Sequence, residues 1–184
     1  MEKGKILINL VFRGKVPGDG GEVNDALRQV LKMKGPVFLR LSRNPTPLLF
    51  KESSKLKIGK IRKITSGNDV TIAVTGIPTY MAVEAEKLLR KEGIKAELLE
   101  ISTVKPLDKE VLIALAKKTG KLLTVEEHSV IGGMGSACAE TLDAVKAANA
   151  LAVLGTESPD IESYFGTGLV TEALKRTGKR LLPV

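Results

Sequence analysis

The chain of 184 residues has little of what would assign it to several common classes of protein. Its single cysteine, Cys138, excludes an internal disulfide, and the helical apolar pattern around it predicts a buried residue and not a reactive thiol. Aromatic residues make up only 3% and tryptophan is absent, so the stacking platforms of nucleic-acid-binding proteins are missing despite a net charge of +8. The apolar runs fall short of the roughly 20 residues that span a bilayer, and no secretion signal is recognisable. We therefore expect a cytoplasmic protein that binds neither nucleic acid nor membrane.

Histidine is as scarce as cysteine. His128 is the only one, and no pair of carboxylates at helical spacing accompanies it, so a zinc site is not expected. One histidine permits at most one Ser–His pair, and Ser129, Ser136 and Ser158 all lack the context of a nucleophile elbow. We predict no catalytic residue and no metal ligand in this chain.

The positive charge is concentrated in the first third of the chain. Residues 1–67 carry 15 Lys and Arg against 5 Asp and Glu, whereas residues 68–184 carry 14 against 16. The densest basic stretch, 51–63, alternates lysine with leucine or isoleucine, a pattern that favours a solvated edge strand or a linker with its lysines in water. Glutamine occurs once while Lys and Glu are plentiful, which favours a thermophilic source.

Strand and helix patterns alternate from residue 67 to the end. Short apolar runs predict strands at 70–75, 96–101, 121–126 and 151–155. Helical spacing predicts helices from Met81 to Gly93, from Asp108, as N-cap, to Gly120, and over 136–147 and 168–177. Strands joined through helices run parallel with right-handed crossovers, which places helices on both faces of the sheet. The sequence predicts a three-layer α/β domain with a mostly parallel sheet.

A short helix–strand arm precedes this domain. A helix is predicted at about 21–33 and a strand at 37–42, followed by the connector Asn-Pro-Thr-Pro. One helix and one or two strands cannot bury a core of their own. We expect the arm to be the end of another domain or a segment packed against the α/β domain.

The stretch "EEHSVIGGMGSACAE", from Glu126 to Glu140, is the most distinctive in the chain. It follows the third predicted strand, at the sheet edge where α/β proteins bind ligands. The glycines allow close backbone approach, and the next helix offers amides to an anion. Two interpretations stay open: a turn that packs against a partner subunit through Val130, Ile131 and Met134, or a weak anion site.

These residues carry a resemblance to a known family. The segments "VTIAVTG", "EGIKAELLEISTVKPLDKEVL", "KLLTVEEHSVIGGMGSACAETL" and "YFGTGLVTEALKRTG" resemble the C-terminal domain of transketolases. Upstream, "VPGDGGEVNDALRQVLKMKGPVFLRLSRN" is similar to the last helix and strand of the family's pyrimidine-binding domain. The resemblance implies three parts: a remnant of the pyrimidine-binding domain at 1–44, in which 1–15 are unmatched, a linker or edge strand at 45–66, and the C-terminal domain at 67–184.

The resemblance implies a parent enzyme rather than an enzyme in this chain alone. The parent activity is two-carbon ketol transfer between sugar phosphates, a step of the pentose phosphate pathway, with thiamine diphosphate and Mg²⁺ as cofactors. The chain would contribute a structural and dimerising domain to a homodimer, beside an N-terminal transketolase section. Close relatives leave alternatives open: 1-deoxyxylulose-5-phosphate synthase, a 2-oxo-acid dehydrogenase β subunit, or a free-standing assembly or anion-binding module. Whether the chain is a natural subunit, a truncation or a chain with a mis-assigned start also stays open.

The resemblance transfers one binding residue, Arg43. The family's Leu-Ser-Arg arginine contacts the substrate phosphate, and Arg43 holds that place in "LSRN". Gly-Asp-Gly at 18–20, followed by Asn44, also has the spacing of the family's magnesium and diphosphate motif. Because the motif belongs to a domain that precedes this region, we expect Asp19 to cap a helix. Magnesium binding by Asp19 and Asn44 is the alternative.

Overall fold

The fold is seen in a computed structural model, which describes residues 14–42, 45–50, 56–128, 132–144 and, for the backbone, 150–155. The arm contains β1 (Gly14–Lys15), α1 (Gly20–Val30) and β2 (Phe38–Leu39). The edge strand β3 (Arg62–Lys63) follows. The α/β domain contains β4 (Val70–Val74), α2 (Pro78–Lys91), β5 (Ala96–Glu100), α3 (Lys109–Thr119), β6 (Lys121–Glu126), α4 (Met134–Asp143) and β7 (Ala150–Gly155).

The main sheet has the strand order β3-β5-β4-β6-β7. Strands β4 to β7 are parallel, and β3 lies antiparallel on β5, with Arg62 opposite Glu100. Successive side chains of a strand point to opposite faces, so the central strand β4 contributes to two cores. Ile72 and Val74 pack beneath α2, whereas Ala73 packs beneath α3 and α4. The domain is therefore three-layered, as the alternating sequence pattern predicts.

The helices begin and end where local chemistry dictates. Pro78 stands at the start of α2, where its missing amide costs nothing. Gly120 ends α3 with φ of 69°, a conformation that disfavours residues with a Cβ. Asp108 occupies the N-cap position of α3 but makes no capping hydrogen bond, and that part of the prediction is wrong. Its carboxylate instead accepts from the Ile61 amide at 3.3 Å and lies 3.4 Å from Lys60 Nζ, so it holds the edge-strand segment.

The arm is joined to the α/β domain through β1. The Val16 amide donates to the Ser102 carbonyl, and the Val104 amide donates to the Gly14 carbonyl, both at 3.0 Å. On its other side β1 pairs in parallel with β2. β2 spans two residues, shorter than the 37–42 strand predicted. The arm is thus bound to the loop that follows β5.

The other sequence expectations have mixed outcomes. α1, β4, β5, β6 and β7 agree with the predicted spans to within a few residues, and Cys138 is fully buried. The predicted final helix at 168–177 lies outside the described residues. In the part of the chain that is described, no helix combines the length and apolar character needed to cross a bilayer.

Candidate functional site

The carboxyl ends of β4 and β6 border a crevice. The helices that follow these neighbouring strands lie on opposite faces of the sheet, α2 on one and α4 on the other. Such a topological switch point is where open α/β sheets bind ligands. A cavity of about 810 Å³ lies here, lined by Thr75 and the loop after β6, and on the arm side by Val16, Phe38 and Arg40. The arm thus forms one wall of the crevice.

Glu126, the last residue of β6, binds the start of α4. Its Oε2 accepts from the Met134 amide and its Oε1 from the Gly135 amide, both at 2.7 Å. A carboxylate at a helix N-terminus satisfies free amides and complements the helix dipole. These are the amides that an external anion would use, so the structure contradicts the anion-site interpretation at this position: the site is occupied by the chain's own carboxylate.

Gly133 is required by this contact. A Cβ built on Gly133 would lie 2.5 Å from Glu126 Oε1 and 2.6 Å from Oε2, closer than real Cβ contacts. The glycine-rich loop therefore exists in part to admit the Glu126 side chain.

Glu127 and His128 face the arm side of the crevice. The Arg40 guanidinium donates to the Glu127 carbonyl through Nη1, and its Nη2 lies 4.0 Å from the Glu127 carboxylate. His128 is exposed. The sequence singled out both acidic residues here, but it carried no sign that Arg40 would bridge to them.

Met134 and Cys138 lie in the core below the crevice. Both have 0% exposure and pack against α3. The expectation that Met134 is exposed for a dimer contact is wrong, because the Glu126 contact turns the start of α4 inward. Burial, with Glu126 nearby, raises the pKa of the Cys138 thiol to about 12, so this thiol is unreactive at neutral pH.

Asp19 caps α1, as expected from the sequence. Its Oδ1 accepts from the Glu22 amide at 2.9 Å. Its Oδ2 accepts from the amides of Leu49 and Phe50 at 2.8 and 3.1 Å. Asp19 thus also binds the connector that leaves the arm, a role that the local pattern did not reveal.

A buried charged cluster joins the arm to the sheet, and sequence reasoning missed it. Arg62 Nη1 lies 2.6 Å from Glu22 Oε1 and 3.8 Å from Glu100 Oε2. Both glutamates are buried, and the Arg62 guanidinium lies 3.8 Å from the centre of the Phe50 ring. The one available signal was the pair of acids in "AELLE", a strand otherwise apolar throughout.

The other acid of that strand, Glu97, is matched by two cations. Glu97 accepts from Lys118 Nζ at 2.6 Å and from the Gly67 amide at 3.0 Å, and Lys63 Nζ lies at 2.6 Å. Burial by itself would raise the pKa of Glu97, but these contacts outweigh it and lower the pKa to about 2. Glu97 is ionised and structural.

The transferred binding residue and part of the loop lie outside the described residues. These are Arg43, Asn44, Ser129, Val130 and Ile131. Within the described part, no group of three or more histidine, cysteine or acidic side chains is placed to hold a metal ion.

The crevice, the parallel sheet and the docked arm define a three-layer α/β domain with a mostly parallel sheet. The family described as the transketolase C-terminal domain matches residues 59–167, and the chain belongs to this family. The chain is 43% identical over 126 residues to a 6-deoxy-6-sulfo-D-fructose transketolase subunit of a Clostridium species; the match covers 68% of the chain and 39% of that protein. It is 36% identical over 128 residues to a putative transketolase C-terminal section of Methanocaldococcus jannaschii, covering 68% and 40%.

Comparison with solved structures gives the same fold. A split-gene transketolase described as an inactive beta4 tetramer matches with a TM-score of 0.83 and 33% identity, over 92% of this chain and 59% of that one. A Pichia stipitis transketolase matches with a TM-score of 0.66 at 23% identity, over 91% and 25%, which supports the fold alone. The chain thus spans about two fifths of the length of these two curated relatives.

Proposed function

We propose that the chain is the C-terminal section of a transketolase that transfers a two-carbon ketol unit between sugar phosphates with thiamine diphosphate and Mg²⁺. The observation that carries the proposal is the split-gene transketolase match, which extends over 92% of the chain and so includes the arm as well as the α/β domain. The chain acts together with a section that carries the remaining domains. Its own contribution is structural. It provides the dimerisation surface of a homodimeric enzyme, and the end of its arm lies at the active site.

The substrate is a phosphorylated or otherwise anionic sugar. Two relatives are named for 6-deoxy-6-sulfo-D-fructose and apulose 4-phosphate, and both names describe sugars with an anionic group remote from the keto carbon. Arg43 is the residue proposed to bind that group, because a guanidinium matches phosphate and sulfonate oxygens.

Reconstitution tests the proposal. The chain is mixed with an N-terminal transketolase section, thiamine diphosphate and Mg²⁺, and ketol transfer from xylulose 5-phosphate to ribose 5-phosphate is measured. We expect activity only in the mixture and no binding of thiamine diphosphate by the isolated chain. Micromolar cofactor binding by the isolated chain, or a mixture that is inert with every anionic ketose, contradicts the proposal.

A second candidate, 1-deoxyxylulose-5-phosphate synthase, is favoured by one observation. The enzyme of Heliobacterium modesticaldum is 40% identical over 129 residues, covering 69% of this chain and 20% of that protein. The same mixture supplied with pyruvate and glyceraldehyde 3-phosphate distinguishes the two, since only the synthase releases carbon dioxide from that pair.

A further inference from the structure

We propose that one proton held between Glu22 of the arm and Glu100 of the sheet latches the arm onto the α/β domain, and that the latch opens as pH rises. The latch consists of Glu22, Arg62 and Glu100. It is independent of the transketolase chemistry, because no residue of the latch lines the crevice.

The geometry brings the two acids to one cation. Glu22 lies in the first turn of α1, Glu100 ends β5, and both approach the same nitrogen of Arg62, at 2.6 and 3.8 Å. Glu22 is also held by the Gly18 amide, which donates to its Oε2 at 3.0 Å. Arg62 is therefore committed mainly to Glu22, and Glu100 keeps only a long contact.

Glu100 is left without a donor when it is ionised. It has 0% exposure, and neither of its oxygens accepts a hydrogen bond from any group in the described part of the chain. Thr79 Oγ1, also without a hydrogen-bond partner there, lies on the same side: both it and Glu100 Oε1 come within 3.5 Å of a Cβ built on Gly18. A protonated Glu100 gains a donor and can bond to Glu22, so the neutral form is the one that suits this site.

The charges around Glu100 favour the same form. Facing it are Asp19 and Glu22 at the start of α1 and Arg62 from β3, and Lys15 from β1 acts on Glu22: with Glu100 ionised, three acids oppose two bases in this buried cluster. One proton makes the cluster neutral. Burial first, then Glu22 and Asp19, raise the pKa of Glu100 well above its usual value, and Arg62 only partly opposes them.

The direction of the pH effect follows from linkage. In the docked state Glu100 holds its proton above the usual carboxyl pKa, whereas an undocked, hydrated Glu100 loses it near the usual value. Docking is therefore tightest at acid pH and weakens as pH rises towards the docked-state pKa. Lys15 acts in the opposite direction: burial lowers the pKa of Lys15 to about 8, with Glu22 opposing, so the docked state gives up this proton more readily than a hydrated lysine does, and docking gains from it as pH rises above about 8.

Hydrogen exchange of α1 tests the latch in the full chain. Protection of α1 is measured at about pH 5 and about pH 7, below the range in which Lys15 titrates, with α3 as the internal reference for the intrinsic exchange rate. We expect wild-type α1 to lose at least about tenfold of its relative protection, the equivalent of one pKa unit. Glu100→Gln, which mimics the protonated acid, should retain its protection at both pH values. Glu84→Gln, on the exposed face of α2, is the matched control and should follow the wild type.

Two outcomes overturn the proposal. The first is wild-type protection of α1 that does not change with pH, or a loss that persists in Glu100→Gln, which would assign the pH dependence to another group. The second uses no variant: a carbon-13 titration of the Glu100 carboxyl in the wild-type chain with a midpoint near that of a free glutamate. If reconstitution gave no ketol transfer but the Glu100 carboxyl titrated well above the midpoint of a free glutamate, the proposal of the latch would still hold.

Discussion

At the scale of single residues, the loop after β6 shows how closely a side chain and a glycine depend on each other. Glu126 binds two amides of α4 only because Gly133 has no side chain. We expect Gly133→Ala to displace the Glu126 carboxylate and to lower the free energy of unfolding by about 1.5–3 kcal/mol, the value of hydrogen bonds to a charged group. Thermal or urea unfolding measures the loss.

Gly20→Ala is the matched control for this substitution. A Cβ at Gly20 meets nothing nearer than Leu48 at 3.9 Å, and the residue lies in the first turn of α1. It should leave stability unchanged or raise it slightly, since alanine favours helix. Equal losses in the two variants would show that the Glu126 contact contributes little.

We expect Glu97 to contribute to the way in which the free energy of unfolding decreases at acid pH. Its pKa is lowered to about 2, so its contribution is complete above the usual carboxyl pKa and is lost as pH falls through about 2. We expect Glu97→Gln to lose up to about 3 kcal/mol at neutral pH and to flatten the decline of stability between about pH 5 and pH 2. Urea unfolding at several pH values measures this, with the exposed Glu84→Gln as control. If the free energy of unfolding of Glu97→Gln decreased between about pH 5 and pH 2 as steeply as that of the wild type, the role of Lys63 and Lys118 in keeping Glu97 ionised would be contradicted.

At the scale of elements, the arm is held by polar contacts at its ends more than by an apolar core. Asp19 caps α1 and also binds the amides of Leu49 and Phe50. We expect Asp19→Ala to destabilise the chain by more than the roughly 1 kcal/mol of an ordinary cap, because the connector is released as well. Asp19→Asn, which keeps an acceptor at the cap, should lose less.

Asp19→Ala and Asp19→Asn also decide whether Asp19, within Gly-Asp-Gly at 18–20, acts as a helix cap or as a magnesium ligand. Hydrogen exchange should show α1 and residues 45–50 loosened together in Asp19→Ala. A stabilisation of the wild type by Mg²⁺ that disappears in Asp19→Ala would favour the magnesium interpretation instead.

At the scale of the whole molecule, the arm carries the residue that we propose for substrate binding. Arg43 follows β2 by a few residues and is expected to contact the anionic group of the substrate. In the reconstituted enzyme, Arg43→Ala should raise KM for phosphorylated substrates about ten- to a hundredfold, which corresponds to roughly 1.5–3 kcal/mol for one charge-assisted contact. Unphosphorylated substrates should be nearly unaffected. Equal losses with both kinds of substrate would assign Arg43 to the fold.

Periodicity by itself determined the layered architecture, because apolar runs and helical stripes are local patterns that any parallel α/β sheet must satisfy. It located β4 to β7 and the helices between them and predicted the burial of Cys138. The family followed from short motifs, and the cap at Asp19 followed from the order of the family's domains. Only the tertiary structure decided the partners of the charged residues. Glu100 meets Glu22 and Arg62, Arg40 meets Glu127, and Glu126 turns Met134 into the core, across separations of up to 87 residues. Charge pairing in the interior depends on distance and burial after folding, and a linear pattern records neither.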